Sequence, residues 1–392
     1  VITAAERSSV RYFQRPDAAH LTVDAAARSL SGLTGELTLN KEAGLHWRGE
    51  LGYWTTSPGF ETNDLGFQTR ADEHQGRLNV EYVEERPGSV FREWNIDSRL
   101  EGAWNYGRDR IGTTLEVQIG GQLLNYWNGE VQLNRNFASL DDRLTRGGPL
   151  TARPASTSME LKVESDSRKA WTIDMQVEGA NGPAERSTAL ELSVGYRPSP
   201  RLDISVGPAW TKQSASAQYV TSVADALATA TYGRRYVFAD LEQTEVSLAT
   251  RINVTFSPST TLEVYARPFF GSGSFGRPKE LAAPQQFNFI DYGTVGEVRD
   301  TGGGLVVDPD GAGPAAPFEV EKEQFTLSSL RGNAVLRWEW RRGSTLYLVW
   351  QQEREDETTR TSNVRMQRDL GALGRARPRN VFMLKVSYWF NP

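Results

Sequence analysis

The chain has 392 residues, a net charge of −5 and no cysteine. It therefore has neither disulfides nor cysteine-based zinc sites, and its acidic balance argues against nucleic acid as a partner. No run approaches the ~18 apolar residues of a transmembrane helix. A β-barrel remains open, because each barrel strand presents only alternate side chains to lipid. Residues 1–10 lack the pattern of a signal peptide, which predicts a mature chain or a fragment.

Alternating apolar and polar residues predict one strand after another. Successive side chains of a strand point to opposite faces, so this alternation indicates one apolar and one polar face. Leu37 and Leu39, for example, alternate with Glu36 and Thr38. The pattern recurs near residues 47–53, 94–104, 115–123, 171–177, 190–196, 202–210, 246–256, 262–270, 336–340 and 346–350.

The C-terminal stretch, residues 380–390, has the clearest alternation. Phe382, Leu384, Val386, Tyr388 and Phe390 share one face, and the stretch matches the roughly 9–11 residues with which a tilted strand crosses a bilayer. A strand that ends in an aromatic residue here resembles the insertion signal of bacterial outer-membrane barrels. We therefore expect residues 380–390 to engage the barrel-assembly machinery. The alternative is an edge strand of a soluble sandwich.

Connector lengths favour the membrane barrel. Short turns near residues 41–45, 86–89, 125–129, 166–169, 197–201, 257–260 and 341–344 would lie on one side, as in outer-membrane barrels. The predicted fold is all-β, a transmembrane antiparallel up-and-down β-barrel of about 16 strands, with both termini on the short-turn side. Residues 1–392 form one domain. The long extracellular loops are expected at about 57–70, 137–157, 214–234, 272–330 and 355–379.

In such a barrel the apolar face contacts lipid and the polar face lines the lumen. Leu248 is expected to face lipid and Ser247 the lumen, so that arginine should be tolerated at position 247 and not at 248. The charged lumen residues either set pore selectivity or form a mutually paired ladder that stiffens the interior. They are Arg48, Arg99, Glu245, Arg251, Glu263, Arg267, Arg337 and Glu339.

Three stretches resemble an uncharacterised family of bacterial outer-membrane barrels. They are Tyr12–Asp17 (YFQRPD), Ser57–Phe67 (SPGFETNDLGF) and Gly233–Leu241 (GRRYVFADL). The resemblance spans nearly the whole chain. It implies a carbohydrate-binding, family-nine-like domain ahead of the barrel, which is absent here, and further strands upstream. Accordingly, this chain is either the C-terminal part of a larger barrel or closes with its own strands.

The loop at Ser57–Phe67 is a candidate binding site. Glu61, Asn63 and Asp64 place oxygen donors close together, which suits calcium or a sugar, or a loop folded into the lumen as a constriction. The alternative is a turn whose Asn and Asp side chains cap its own backbone. No cofactor other than such a calcium ion is expected.

Catalysis has little support in the sequence. The only histidines are His20, His46 and His74, and no nucleophile motif, metal pair or phosphate loop accompanies them. We expect no catalytic residues and no enzymatic activity, with an outer-membrane hydrolase as the alternative.

The predicted function is a porin-like pore or transporter for a small polar solute, with a saccharide as one candidate. The expected location is the outer membrane of a Gram-negative bacterium, with the lipid bilayer as surroundings. The alternative is a non-conducting scaffold barrel whose long outer loops bind partner proteins.

Overall fold

The computed structural model describes residues 2–62, 66–321, 324–358 and 364–390. One large antiparallel sheet dominates it. Fifteen strands follow one another in the sheet, and a short strand, β15 (Phe289–Asp291), pairs with β14 as the sixteenth. The fifteen are β1 (Thr34–Lys41), β2 (Trp47–Thr56), β3 (Glu73–Glu84), β4 (Phe91–Trp104), β5 (Arg110–Leu123), β6 (Asn128–Asn136), β9 (Ser156–Glu164), β10 (Trp171–Asn181), β11 (Glu185–Ser199), β12 (Leu202–Ala224), β13 (Arg234–Ser257), β14 (Thr260–Leu281), β19 (Gln324–Arg341), β20 (Ser344–Thr358) and β21 (Arg379–Ser387).

The smaller elements lie in the connections and at the N-terminus. Strands β7 (Ser139–Asp141) and β8 (Thr151–Arg153) form a hairpin between β6 and β9. Strands β16 (Glu297–Asp300), β17 (Gly304–Asp308) and β18 (Phe318–Glu321) form a three-stranded sheet between β14 and β19. The helices are α1 (Ile2–Glu6), α2 (Met366–Arg375) and a 3₁₀ turn, Thr229–Thr231. Thus the predicted all-β, antiparallel architecture of about 16 strands is confirmed.

Neither α-helix in the described part of the chain is long and apolar enough to cross a membrane.

The strand register lines up the apolar residues across the sheet. Leu51 pairs with Leu39 on one side and with Leu78 on the other. All three side chains are exposed, Leu39 at 72%. Leu100 and Leu115 continue this row on β4 and β5 and are exposed as well. One face of the sheet, here called the apolar face, therefore carries large apolar side chains that no other part of the described chain covers.

Connections at the two ends of the sheet differ in length. At one end they are short, as at residues 200–201, 258–259 and 342–343. At the other, here called the long-connection end, they include residues 57–72, 137–155 and 282–323. The predicted asymmetry between the two ends is present in the described strands.

Several predicted loop boundaries were wrong, because strands extend into them. The predicted loop 214–234 is mostly strand, since β12 runs to Ala224 and β13 begins at Arg234. Likewise β14 extends to Leu281 and β19 begins at Gln324 inside the predicted loop 272–330, and β20 runs to Thr358 inside 355–379. Backbone hydrogen bonds continue along these extensions, which lets them keep strand geometry through bulges near Ala215 and Tyr219.

The prediction that both termini lie on the short-turn side is correct for the end of β21 and wrong for the start of β1. Thr34 at the start of β1 pairs with Thr56, next to the long connection 57–72. Ser387 at the end of β21 pairs with Thr345, at the opposite end of the sheet. An odd number of strands in the main path places its first and last ends on opposite sides.

The long-connection end has a hydrophobic core on both sides of β13. Phe238 and Tyr236 pack with Ala217 and Leu281 in one cluster. Val237 packs with Tyr292, Val307 and Val320 of the 282–323 connection in a second cluster. Phe238 and Val237 are both 0% exposed. Alternate residues of this strand segment are thus buried on opposite faces.

Candidate functional site

The face of the sheet opposite the apolar face, here called the polar face, carries the charged residues predicted to line a lumen. Some of them form cross-strand ion pairs. Arg99 Nη1 lies 3.2 Å from Glu116 Oε1 on the neighbouring strand. Arg48 pairs with Glu85 at 2.6 Å. Arg337 Nη2 lies 3.1 Å from Glu339 Oε2, two residues along the same strand. Of these three pairs, Arg99–Glu116 joins neighbouring strands as a ladder would. By contrast, Glu85 follows the end of β3, and Glu339 shares β19 with Arg337.

The other four predicted residues lie on β13 and β14 and make no ion pair among the described residues. Arg267 donates a hydrogen bond to Ser247 Oγ at 3.4 Å. Glu245 accepts one from Gln243 at 2.9 Å. The Arg251 guanidinium lies 5.3 Å from the centre of the Tyr265 ring. Glu263 is exposed opposite Asn253.

Ser247 differs from the prediction made for it. Its side chain is on the polar face with Arg251, but only 7% is exposed, and Arg267 lies against it. An arginine at this position would be crowded and close to a like charge. The prediction that Ser247→Arg is tolerated therefore does not fit the structure.

The polar face also contains cavities. One of about 530 Å³ lies across β9 to β14 and is lined by Asp174, Glu191, Gly207, Arg251 and Arg267, among others. A second, of about 360 Å³, is lined mainly by β3 to β9, with Glu81, Glu93, Glu130 and Lys162. Charged groups of both signs therefore surround open space on this face.

A second group of functional candidates lies at the long-connection end. It is built around Arg15, whose side chain is 1% exposed. Arg15 lies 3.3 Å from Asp17 and 3.6 Å from Asp142. Asp142 also pairs with Arg70 at 2.6 Å, and Asp17 accepts a hydrogen bond from the Leu150 N–H at 2.6 Å. This buried cluster joins the N-terminal segment to two connections.

The described residues of the Ser57–Phe67 loop also lie at the long-connection end. Arg11, also 1% exposed, pairs with Glu61 at 2.8 Å and donates to the Phe60 carbonyl. Glu61 thus serves as an ion-pair partner of the N-terminal segment. Asn63 and Asp64 lie outside the described residues.

Each of the three histidines contacts a residue of another strand or connection. His20 Nε2 lies 2.9 Å from Asp72 Oδ2, and Asp72 Oδ1 accepts a hydrogen bond from the Tyr106 N–H at 3.0 Å. His74 Nδ1 lies 2.7 Å from the Tyr53 hydroxyl. His46 Nδ1 lies 2.9 Å from the Val83 carbonyl oxygen.

A further ionic cluster was not anticipated from the sequence. Arg235 pairs with Asp225 at 2.6 Å and with Glu280 at 2.7 Å, and the Tyr292 hydroxyl donates to Glu280 at 2.9 Å. Burial, reinforced by the Glu280 charge, raises the pKa of Tyr292 above its ordinary value. The only local signal was Gly233–Leu241, the stretch that contains Arg235.

The three stretches that carried the family resemblance therefore lie at the same end of the sheet. Tyr12–Asp17 contributes Arg15, Ser57–Phe67 contributes Glu61, and Gly233–Leu241 contributes Arg235 and Phe238. Across the ranges that the structure describes, no group of three or more His, Asp or Glu side chains is arranged to hold a metal ion.

One protein family matches nearly the whole chain. The model of a domain of unknown function (DUF5916) covers residues 4–391. No curated protein matches the chain at a significant level.

Proposed function

The chain belongs to the DUF5916 family, whose function is unknown, and on that premise we propose that it is an outer-membrane β-barrel that forms a pore for a small polar solute. The observation that carries the proposal is the opposite character of the two sheet faces. Leu, Trp and Phe side chains of the apolar face are exposed to the surroundings, whereas ion pairs and cavities occupy the polar face.

The exposed apolar side chains support a lipid contact. Folded soluble proteins seldom expose apolar patches larger than a few hundred Å², and here such residues recur on strand after strand. Tryptophans near the strand ends are exposed as well, which suits the aromatic girdles at membrane interfaces. They are Trp47, Trp104, Trp127, Trp171 and Trp340, whereas the exposed Trp210 and Trp350 lie within β12 and β20.

A pore requires that the sheet close. Strands β1 and β21 are the two edges of the described sheet, and both run away from the long-connection end. We propose that they pair directly, in parallel, because open strand edges are not tolerated in hydrocarbon. A further strand between them would instead run antiparallel to both.

Cysteine cross-linking tests this closure, because the chain has no cysteine of its own. Thr38→Cys in β1 would be combined in turn with cysteine at each position of β21. A disulfide in the membrane-folded protein at one or two neighbouring positions is the expected result. If no combination cross-links while a control pair across β1 and β2, at Thr38 and Gly52, does, direct closure is wrong.

The polar face would then line the lumen, and the long-connection end would narrow it. The N-terminal segment and the 137–155 connection pack together there through Arg15, Asp17 and Asp142. The solute would be small and polar, and a saccharide remains one candidate. The C-terminal strand β21 would present residues 380–390 to the assembly machinery.

Planar-bilayer recording of the purified chain tests the pore. Stepwise conductance is the expected result, and Glu263→Lys on the polar face should shift the reversal potential toward anions. Glu319→Lys in β18, an exposed acid away from the polar face of the main sheet, should not shift it. Folded, reconstituted protein without conductance would overturn the pore and favour the non-conducting scaffold.

A further inference from the structure

The 530 Å³ cavity on the polar face has a floor of small residues. Ser205, Gly207 and Ala209 line it from β12. Gly207 lies opposite Ala249 of β13 in the strand register, so its immediate neighbour is small too. The result is a groove, here called the β12 groove, that crosses the polar face between two groups of charged side chains.

Carboxylates stand on one side of the groove. Asp174 lies on β10 and Glu191 on β11, where Glu191 is paired with Gln176. Both side chains are exposed. Neither has an ion-pair partner within the described ranges. Glu164 of β9 also lines this side, opposite Asp174, as does Lys162 of β9, which has ion pairs of its own.

Two guanidinium groups stand on the other side. Arg251 on β13 pairs in register with Tyr265, and Arg267 is two residues further along β14. The ring of Tyr265 and the hydroxyl of Ser247 hold these heads at 5.3 Å and 3.4 Å. Neither guanidinium forms an ion pair with any described carboxylate. Their partners therefore hold them in place without neutralising them.

The two charged groups are too far apart to pair with each other. Asp174 and Arg251 lie three strands apart and are offset by two residues along the strands. With about 4.8 Å between strands and 3.3 Å per residue, their Cα atoms are about 16 Å apart. Side chains that lean into the groove would leave a gap of about 10 Å, which is the length of about three extended residues.

The geometry points to the β12 groove as a binding site for short zwitterionic peptides. The ammonium end would lie at Asp174 and Glu191, and the carboxylate end at Arg251 and Arg267, which suit a carboxylate because guanidinium can donate two parallel hydrogen bonds. The small floor of β12 leaves room for a backbone with small side chains. This inference rests on the proposed pore and names the class of solute that it would carry.

Liposome swelling with triglycine tests the site. Triglycine should enter wild-type proteoliposomes faster than acetyl-triglycine-amide, which has the same backbone without charged ends. The double variants Arg251→Gln/Arg267→Gln and Asp174→Asn/Glu191→Gln should each reduce that preference by about 2- to 5-fold, the range expected for exposed ion pairs. Arg77→Gln, which affects a partly exposed ion pair with Glu101 between β3 and β4, is the matched control, because neither strand lines the groove. It should keep the preference.

Calorimetric titration of triglycine into the detergent-solubilised protein measures binding separately from transport, and so separates this inference from the pore.

The two assays together give the following outcomes. Swelling without any preference for triglycine overturns the groove and leaves the pore intact. Absence of swelling overturns the pore, and binding that both double variants weaken would still support the groove. Absence of both swelling and binding overturns the pore and the groove. A preference that Arg77→Gln reduces as much as the double variants do would assign the effect to overall lumen charge and overturn the groove.

Discussion

The middle of the main sheet and its long-connection end place similar residues in opposite environments. In the middle, Leu51 and Leu78 are exposed, and the Arg99 and Glu116 side chains of one ion pair are 38% and 18% exposed. At the long-connection end, Phe238 is 0% exposed and the Arg15 side chain 1%. At the long-connection end, other parts of the chain bury the apolar groups. In the middle of the sheet, the apolar side chains stay exposed unless the surroundings of the protein cover them.

The difference separates two sources of stability. Burial at the long-connection end is intramolecular, so its contribution should be present with or without lipid. The apolar face in the middle is stabilised only if lipid or detergent covers it. Substitutions in the two regions should therefore differ in size and in their dependence on lipid.

Phe238→Ala should give the largest effect. Removing a fully buried phenylalanine leaves a cavity, and the expected loss in the free energy of unfolding is about 3–5 kcal/mol. Urea titration of the protein folded in lipid vesicles measures it. The matched control is Phe67→Ala, at a 91% exposed position in the 57–72 connection, which should cost under about 1 kcal/mol. Equal losses for the two variants would contradict the buried core.

Arg15→Ala should follow, at about 3 kcal/mol, because removal of one partner of a buried ion pair leaves an uncompensated charge. The loss is at the lower end of the range for such pairs, since Asp142 keeps Arg70 and Asp17 keeps the Leu150 N–H. Arg99→Ala in the exposed ladder should cost under about 1 kcal/mol. A larger loss for Arg99→Ala than for Arg15→Ala would reverse the contrast between the two regions.

Leu248→Arg should cost about 2–3 kcal/mol if the apolar face contacts lipid, since a charge would lie within the hydrocarbon. Asn253→Arg puts the same side chain on the polar face of the same strand, at an exposed position, and should be tolerated. Heat-modifiable gel migration reports folding into vesicles. Equal folding of both variants would show that the apolar face does not contact lipid.

The smallest effect concerns Asp141, and it is present at neutral pH and lost in acid. Burial would raise the pKa of Asp141, but the Arg153 charge and the N–H groups of Arg143 and Leu144 outweigh it, and the pKa lies below 3.8. A lowered folded-state pKa contributes stability above the unfolded value and loses it as the pH falls through the folded value.

Asp141→Asn should therefore reduce stability at pH 7, with a smaller difference from wild type below about pH 3. Urea midpoints across this range measure the difference. Glu297→Gln, at an exposed carboxylate in β16, is the control and should show no such trend. A wild-type difference that grows in acid would contradict the direction of the Asp141 shift.

Much of the strand arrangement followed from the sequence. Leu336, Trp338 and Trp340 alternate with charged residues and lead into Arg342-Gly343, and β19 and β20 meet at that turn. The alternation predicts a strand because successive side chains point to opposite faces, and this holds whether a face meets solvent, lipid or protein. Turn residues then mark where each strand ends.

Residues 214–224 and 272–281 were misread as loop for a physical reason. Their sequences are rich in Ser, Gly and Ala and show no clean alternation, yet they continue β12 and β14. Most of these residues are partly or fully buried by neighbouring segments, so the exposed polar face from which a strand is recognised is largely missing. These segments lengthen β12 and β14 without adding a strand to the main path.

The contacts of the candidate sites were decided only by the tertiary structure. Sequence alternation put Arg251 and Arg267 on the polar face, but the β12 groove depends on which strands are neighbours and in which register. Arg15 and Asp142 are distant in the chain and carry no shared pattern. Local sequence encodes the direction of a side chain through the backbone period, whereas ion pairs between distant segments form only once the chain has folded around them.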